Sequence, residues 1–246
     1  MIYLLLLLSA FAAGAINALA GGGSFFTFPA LIFAGVPAIA ANATSTVALV
    51  PASFASAFTY RHDIRRLEAF GLRTLLLVSL AGGLCGSVLL VRTPETTFVH
   101  LIPWLLLFAT AVFAFGKTLS FWLRERLKVG PKTLLLVLFV VTTYGGYFGG
   151  GMGIMTLALL GLWGLTDLHA MNGAKNVLAG SLNGLAVIVF IFARQVYWKE
   201  ASIMVVASIA GGYAGAKLAK RIAPARLRVI VIAVGCLMTA YFFWRG

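Results

Sequence analysis

Apolar runs fill this chain almost end to end, and two of them open directly after a triple glycine. In the first half they fall at about Ile2–Leu19, Ser24–Ala34, Ala38–Thr59, Leu72–Val91 and Thr96–Gly116. In the second half they fall at about Thr133–Phe148, Met152–Leu165, Ala170–Ala193, Ala201–Ala216 and Leu227–Trp244. Several reach the roughly 20 residues that carry a helix across a bilayer. Of the 246 residues, 61% are hydrophobic and 10% charged, where a soluble domain would carry roughly a quarter charged residues. The pattern predicts an all-α, polytopic transmembrane helical bundle with no room for a soluble domain. Nothing alternates with period two, which argues against an outer-membrane barrel.

A net charge of +13 would suit nucleic acid, but its distribution does not. Arg61, Arg65, Arg66 and Arg73 share one link, Lys117, Arg124, Arg126, Lys128 and Lys132 a second, and Lys217, Lys220, Arg221, Arg226 and Arg228 a third. Basic residues gathered in links between apolar runs mark the cytoplasmic side of a membrane protein, so no nucleic-acid partner is expected. Cys85 and Cys236 each stand alone in an apolar run and read as small packing residues without metal or disulfide. MIYLLLLLSAFAAGA resembles a signal peptide but lacks a charged leader. It continues straight into an element with a counterpart in the second half, so it is read as a retained first helix.

The halves align in order. Gly21 matches Gly149, ANATSTV at Ala41 matches MNGAKNV at Met171, AGGLCGS at Ala81 matches AGGYAGA at Ala210, and Pro94 matches Pro224. Four landmarks at nearly one offset point to an internal duplication, residues 1–123 and 124–246, within one integral membrane domain. The charge bias swaps ends between the halves. The link after the third run is basic in the first half, whereas its counterpart RQVYWKE is nearly balanced; the link after the fourth run behaves the opposite way. Two inverted repeats are therefore expected, each with an odd number of crossings and both termini extracytoplasmic. The runs after the glycines are short for a full span. This favours tips lying within the membrane, though five full crossings per repeat have the same parity.

Paired glycine-interrupted segments at matching places are the best sequence pointer to a transporter's substrate site. Gly21, Gly22 and Gly23 precede a helix start at Ser24; Gly149, Gly150 and Gly151 precede one at Met152. Such a helix start offers free backbone N–H groups and the positive end of its dipole to an anion. Close helix packing through small residues is the competing use of these glycines. In the following helix, the polar residues Asn42, Thr44 and Ser45 of the first half are matched by Asn172, Lys175 and Asn176 of the second. These can donate hydrogen bonds to an oxyanion or bond between helices; Thr46, Ser53 and Asn183 belong to the same polar set. Lys175 lies inside an apolar helix. An ionisable group there is a functional candidate by default, against which stands snorkelling to the interface.

No acidic residue lies mid-helix, so no buried carboxylate proton relay is visible; Asp167 reads as a helix cap beside His169, and His100 lies near an outer interface. GxSxG, HExxH and a P-loop are absent. The chain is expected to be no enzyme and to need no cofactor.

GAINALAGGGSFFTFPALIFAGVPAIAANATSTVAL resembles the first repeat of the TauE/SafE family of permeases, in which a Gly-rich element precedes Pro-x-Leu, then Gly-x-Pro, then Ala-x-Ala-Thr-Ser. YGGYFGGGMGIM and MNGAKNVLAGSLNG are similar to a common variant of its second repeat. The resemblance implies transport of a small sulfur oxyanion or organosulfonate, such as sulfite or sulfoacetate, across the bacterial inner membrane. The second half departs from the first-repeat pattern: no proline follows its glycine tip, and Ala174 and Lys175 stand where Thr44 and Ser45 stand. The leading expectation is a secondary transporter for a small anion. Its partners would be that anion, the lipid bilayer, a coupling proton and a second copy in a homo-oligomer. A passive anion channel or uniporter and a non-transporting accessory membrane protein are the alternatives.

Overall fold

The computed structural model describes residues 1–19, 21–64, 71–126, 130–218 and 224–245, and they contain helices and no strand. The elements are α1 (Ile2–Leu19), α2 (Ser24–Phe33), α3 (Ala38–Thr59), α4 (Arg61–Ile64), α5 (Leu72–Arg92), α6 (Glu95–Arg126), α7 (Pro131–Tyr147), α8 (Met152–Leu162), α9 (Leu168–Phe192), α10 (Trp198–Leu218) and α11 (Pro224–Arg245). Every expected apolar run is a helix, and α4 is a short addition after α3. α6 runs further than its apolar run, through residues 117–126, because good helix formers follow and no glycine or proline intervenes before Gly130 and Pro131. The repeat boundary expected at 123/124 would fall in the last turns of α6. Of the basic links, Arg65, Arg66, Lys128, Lys220 and Arg221 lie outside the described residues.

Four helices are long and apolar enough to cross a membrane among the described residues: Ala38–Thr59, Leu72–Arg92, Glu95–Gly116 and Leu168–Phe192. Their surfaces suit lipid. Leu77, Leu89, Trp104, Phe108 and Phe115 are exposed on α5 and α6, while α3 is buried over most of its length. This is a multi-pass membrane protein.

Small residues set the closest helix contacts. α1 lies along α10, with Phe11 against Gly211, Gly14 against Ser208 and Gly212, and Ala15 against Gly215. α5 lies along α7, with Gly82 against Phe139 and Thr142, and Gly86 against Thr143 and Tyr147. In both pairs the residue numbers rise together, so the helices are parallel. Without a Cβ the backbones approach closely, and dispersion contacts replace the hydrophobic drive that lipid does not supply.

α3 also runs parallel to α10: Thr44 meets Tyr197, Ala48 meets Ser208 and Ser56 meets Gly212. Against α9 it runs antiparallel, with Tyr60 stacked on His169 and Phe54 beside Gly180. α6 and α11 pair antiparallel through Trp104 with Phe243 and Thr110 with Gly235. Exchanging the halves maps these contacts onto themselves: α1 on α10 answers α7 on α5, and α3 on α10 answers α9 on α5. α2 is wedged against α6, α7–α8 and α11 by edge and stacked contacts of Phe25 with Phe113 and of Phe28 with Phe148 and Phe242.

Candidate functional site

The two glycine breaks meet. Gly21 (φ +74°) packs against the backbone of Gly153, at the start of α8, and Gly149 (φ +81°) approaches the Ser24 hydroxyl, at the start of α2. Gly22 (φ +106°) lies under the Phe113 ring, Gly23 against Ala13, Gly150 against Phe148 and Ala109, and Gly151 (φ +77°) against Ala109. All are buried except Gly149, which is half-buried. Positive φ and backbone-to-backbone contact at Gly21 explain why no larger residue stands there.

The first turns of α2 and α8 satisfy only part of their amides. Phe25, Phe26 and Thr27 bond back to Gly22 and Gly23, and Met152, Ile154 and Met155 bond back to Gly149 and Gly151. The N–H groups of Gly22, Gly23, Ser24, Gly150, Gly151 and Gly153 have no acceptor among the described residues. Those of Ser24 and Gly153 belong to residues lining a cavity of about 30 Å3 between the tips. Asn17, Thr46, Leu49, Met152, Lys175, Asn176 and Asn183 complete most of its wall. Such a volume holds about one or two waters.

Lys175 is the ionisable residue in that wall. It is 1% exposed. Its Nζ donates to the carbonyl oxygens of Asn17 at 2.9 Å and Ala18 at 3.4 Å, and to Asn172 Oδ1 at 3.3 Å. Asn176 Nδ2 donates to Ala18 O at 3.4 Å. α9 thus caps the C-terminal end of α1, where the last carbonyls carry the negative end of the helix dipole. Half-exchange gives the mirror contact: Asn42 Nδ2 of α3 donates to Tyr147 O at 3.0 Å, at the end of α7. Each long helix braces the broken helix of the other half.

The structure therefore brings Ser24, Gly149, Met152, Lys175 and Asn176 together around one cavity, with Gly21, Gly22, Gly23, Gly150 and Gly151 forming the tips behind it. Asn42 and Asn172 sit one step back, holding Tyr147 and Lys175. Thr44 and Ser45 are turned elsewhere: Thr44 Oγ1 accepts from Tyr197 N at 3.0 Å, and the Ser45 hydroxyl lies 2.6 Å from Thr27 Oγ1. Thr46 and Asn183, from the polar set of the sequence, also line the cavity, and so does Asn17, which the sequence reading does not single out. Thr46 matches Asn176 in the other half, and Asn17 is the polar residue one turn before the first tip; those are the signals that point to them. Asn17 Nδ2 also reaches Ser53 Oγ at 3.4 Å. No group of three or more His, Cys, Asp or Glu residues is placed to hold a metal among the described residues.

A family model described as "Sulfite exporter TauE/SafE" matches residues 6–242. The chain belongs to the TauE/SafE family. Curated relatives agree. The chain is 30% identical over 234 residues to a "Probable membrane transporter protein" of Haemophilus influenzae, covering 94% of this chain and 90% of the relative. It is 30% identical over 244 residues to "Probable membrane transporter protein ORF9" of a Sinorhizobium species, covering 96% and 91%. It is 26% identical over 230 residues to "Probable membrane transporter protein YfcA" of Escherichia coli K12, covering 93% and 84%. No solved structure gives a significant match. This TauE/SafE chain is a membrane transporter.

Proposed function

We propose that this TauE/SafE protein is a secondary transporter that moves a small anion, a sulfur oxyanion or organosulfonate, across the bacterial inner membrane. The observation that carries the reading is the meeting of both glycine tips around one polar cavity whose wall holds a buried lysine. Backbone N–H groups at two helix starts, three asparagines and one cation form a donor-rich surface without a carboxylate. That surface selects an anion with several oxygen acceptors.

The halves are inverted repeats in this reading, with both termini extracytoplasmic. Support comes from helix direction. α9, the counterpart of α3, runs antiparallel to it, while α10, the counterpart of α5, runs parallel to α3. The short helices α2 and α8, of 10 and 11 residues, span roughly half of a 30 Å hydrocarbon core at 1.5 Å per residue. They form re-entrant hairpins with α1 and α7. A cavity of about 30 Å3 fits a carrier between open states better than an open anion channel.

Uptake by the purified protein in proteoliposomes, over a panel of sulfite, thiosulfate, sulfoacetate and acetate, tests the proposal. Saturable uptake of a sulfur anion, strongly reduced by Lys175→Gln, is the expected result. Uptake of every panel anion at the level of empty liposomes would overturn it.

A further inference from the structure

We propose that Lys175 carries the coupling proton, so that the protein moves its anion together with a proton on the same side chain that meets the anion. This rests on the anion-transport reading above.

The argument starts from what surrounds the side chain. Lys175 Nζ has carbonyl acceptors alone: Asn17 O, Ala18 O and Asn172 Oδ1. These are dipoles, without formal charge to balance an ammonium. Taking a lone cation out of water is costly unless an opposite charge accompanies it. The elements packed on α9 supply none at the cavity. α3 and α8 contain no Asp, Glu, Lys, Arg or His, and α1 has Tyr3 as its titratable side chain, at the far end of the helix. On α5 the titratable residues are Arg73, Cys85 and Arg92, and on α7 Lys132, Tyr144 and Tyr147. On α4 they are Arg61, His62 and Asp63, which sit with Tyr60, Asp167 and His169 where α3 ends and α9 begins. None of these lines the cavity.

The missing negative charge is therefore the anion's. With an oxyanion in the cavity the ammonium form is favoured; without it the free amine loses less on burial. Anion binding and proton binding to one nitrogen then reinforce each other, and the reinforcement is reciprocal. The cycle balances: the amine lone pair takes a proton from water on the side where the anion enters, and returns that proton to water on the other side as the anion leaves. The α1 carbonyls receive Nζ whenever the cavity is empty, which keeps the side chain in place between cycles.

The test uses the full chain in proteoliposomes with the membrane potential clamped by potassium and valinomycin and a pH-sensitive dye in the lumen. The probes are thiosulfate and sulfoacetate, whose charges do not change over the neutral range. An inward anion gradient is expected to acidify the lumen. Apparent anion affinity is expected to fall about tenfold per pH unit on the alkaline side, the slope for one linked proton. Lys175→Arg, which stays protonated, is expected to lose that slope, and its net uptake to fall much further than its anion–anion exchange. Uptake without lumen acidification would overturn the proton assignment and leave the transport reading intact. A pH slope that survives in Lys175→Arg would do the same. Uptake of neither anion, nor of the rest of the panel above, would overturn the transport reading itself.

Discussion

Lys175 and the glycines around it show how a single atom changes a residue's role in this fold. Gly21 and Gly35 both have positive φ, +74° and +86°, so alanine strains the backbone at either place. At Gly35 an added Cβ meets open space, whereas at Gly21 it would stand 2.6 Å from Gly153 Cα, in a backbone that has no flexible end to move aside. Gly35→Ala is expected to cost about 1 kcal/mol, the price of the left-handed conformation alone. Gly21→Ala is expected to lower the thermal midpoint in detergent by clearly more and to abolish uptake by forcing the tips apart. Equal loss in the two variants would mean that the tips do not need their contact. The triple glycines, Lys175 and Asn176 were legible in the sequence because each breaks an apolar pattern. That Thr44 and Ser45 turn away from the cavity was not. Ala38 to Ser45 are all buried, so no polar stripe marks which face of α3 meets water, and the partner positions Tyr197 and Thr27 become visible only in three dimensions.

At the scale of elements, the glycine-rich stretches of α5 and α10 served the sequence argument as landmarks of duplication. In the structure they are the seams along which each half grips the other half's first helix. Gly211 packs against the Phe11 carbonyl, while Gly184, on α9, has open space where a Cβ would go. Gly211→Ala is expected to destabilise the protein through separation of α1 from α10. Gly184→Ala is expected to stabilise it by about 0.5–1 kcal/mol, since it removes backbone freedom from a helix interior and adds no clash. Thermal unfolding in one detergent compares the two directly; the same sign for both would contradict the packing described for α1 and α10. The helices themselves were legible to within a few residues, because apolar runs bounded by glycine, proline and charge leave little choice in a bilayer. The extension of α6 to Arg126 was not, because polar helix formers leave the hydropathy signal without ending the helix.

For the whole molecule, the arrangement of donors ties the site to both halves. The cavity is lined from α3 and α9, and the ends of α1 and α7 are held by side chains from the opposite half. A displacement of one half against the other would therefore alter the site and both caps together, as alternating access requires. The most direct test is protection of a cysteine placed in the cavity wall. Asn183→Cys is made in a chain whose exposed Cys85 and Cys236 are replaced by serine, and its labelling by a small charged thiol reagent is timed with and without the transported anion. The account predicts that the anion slows labelling at 183 and leaves a Gly35→Cys control, at the exposed turn between α2 and α3, unchanged. Labelling at 183 that proceeds at the same rate with saturating anion would contradict a substrate site between the glycine tips.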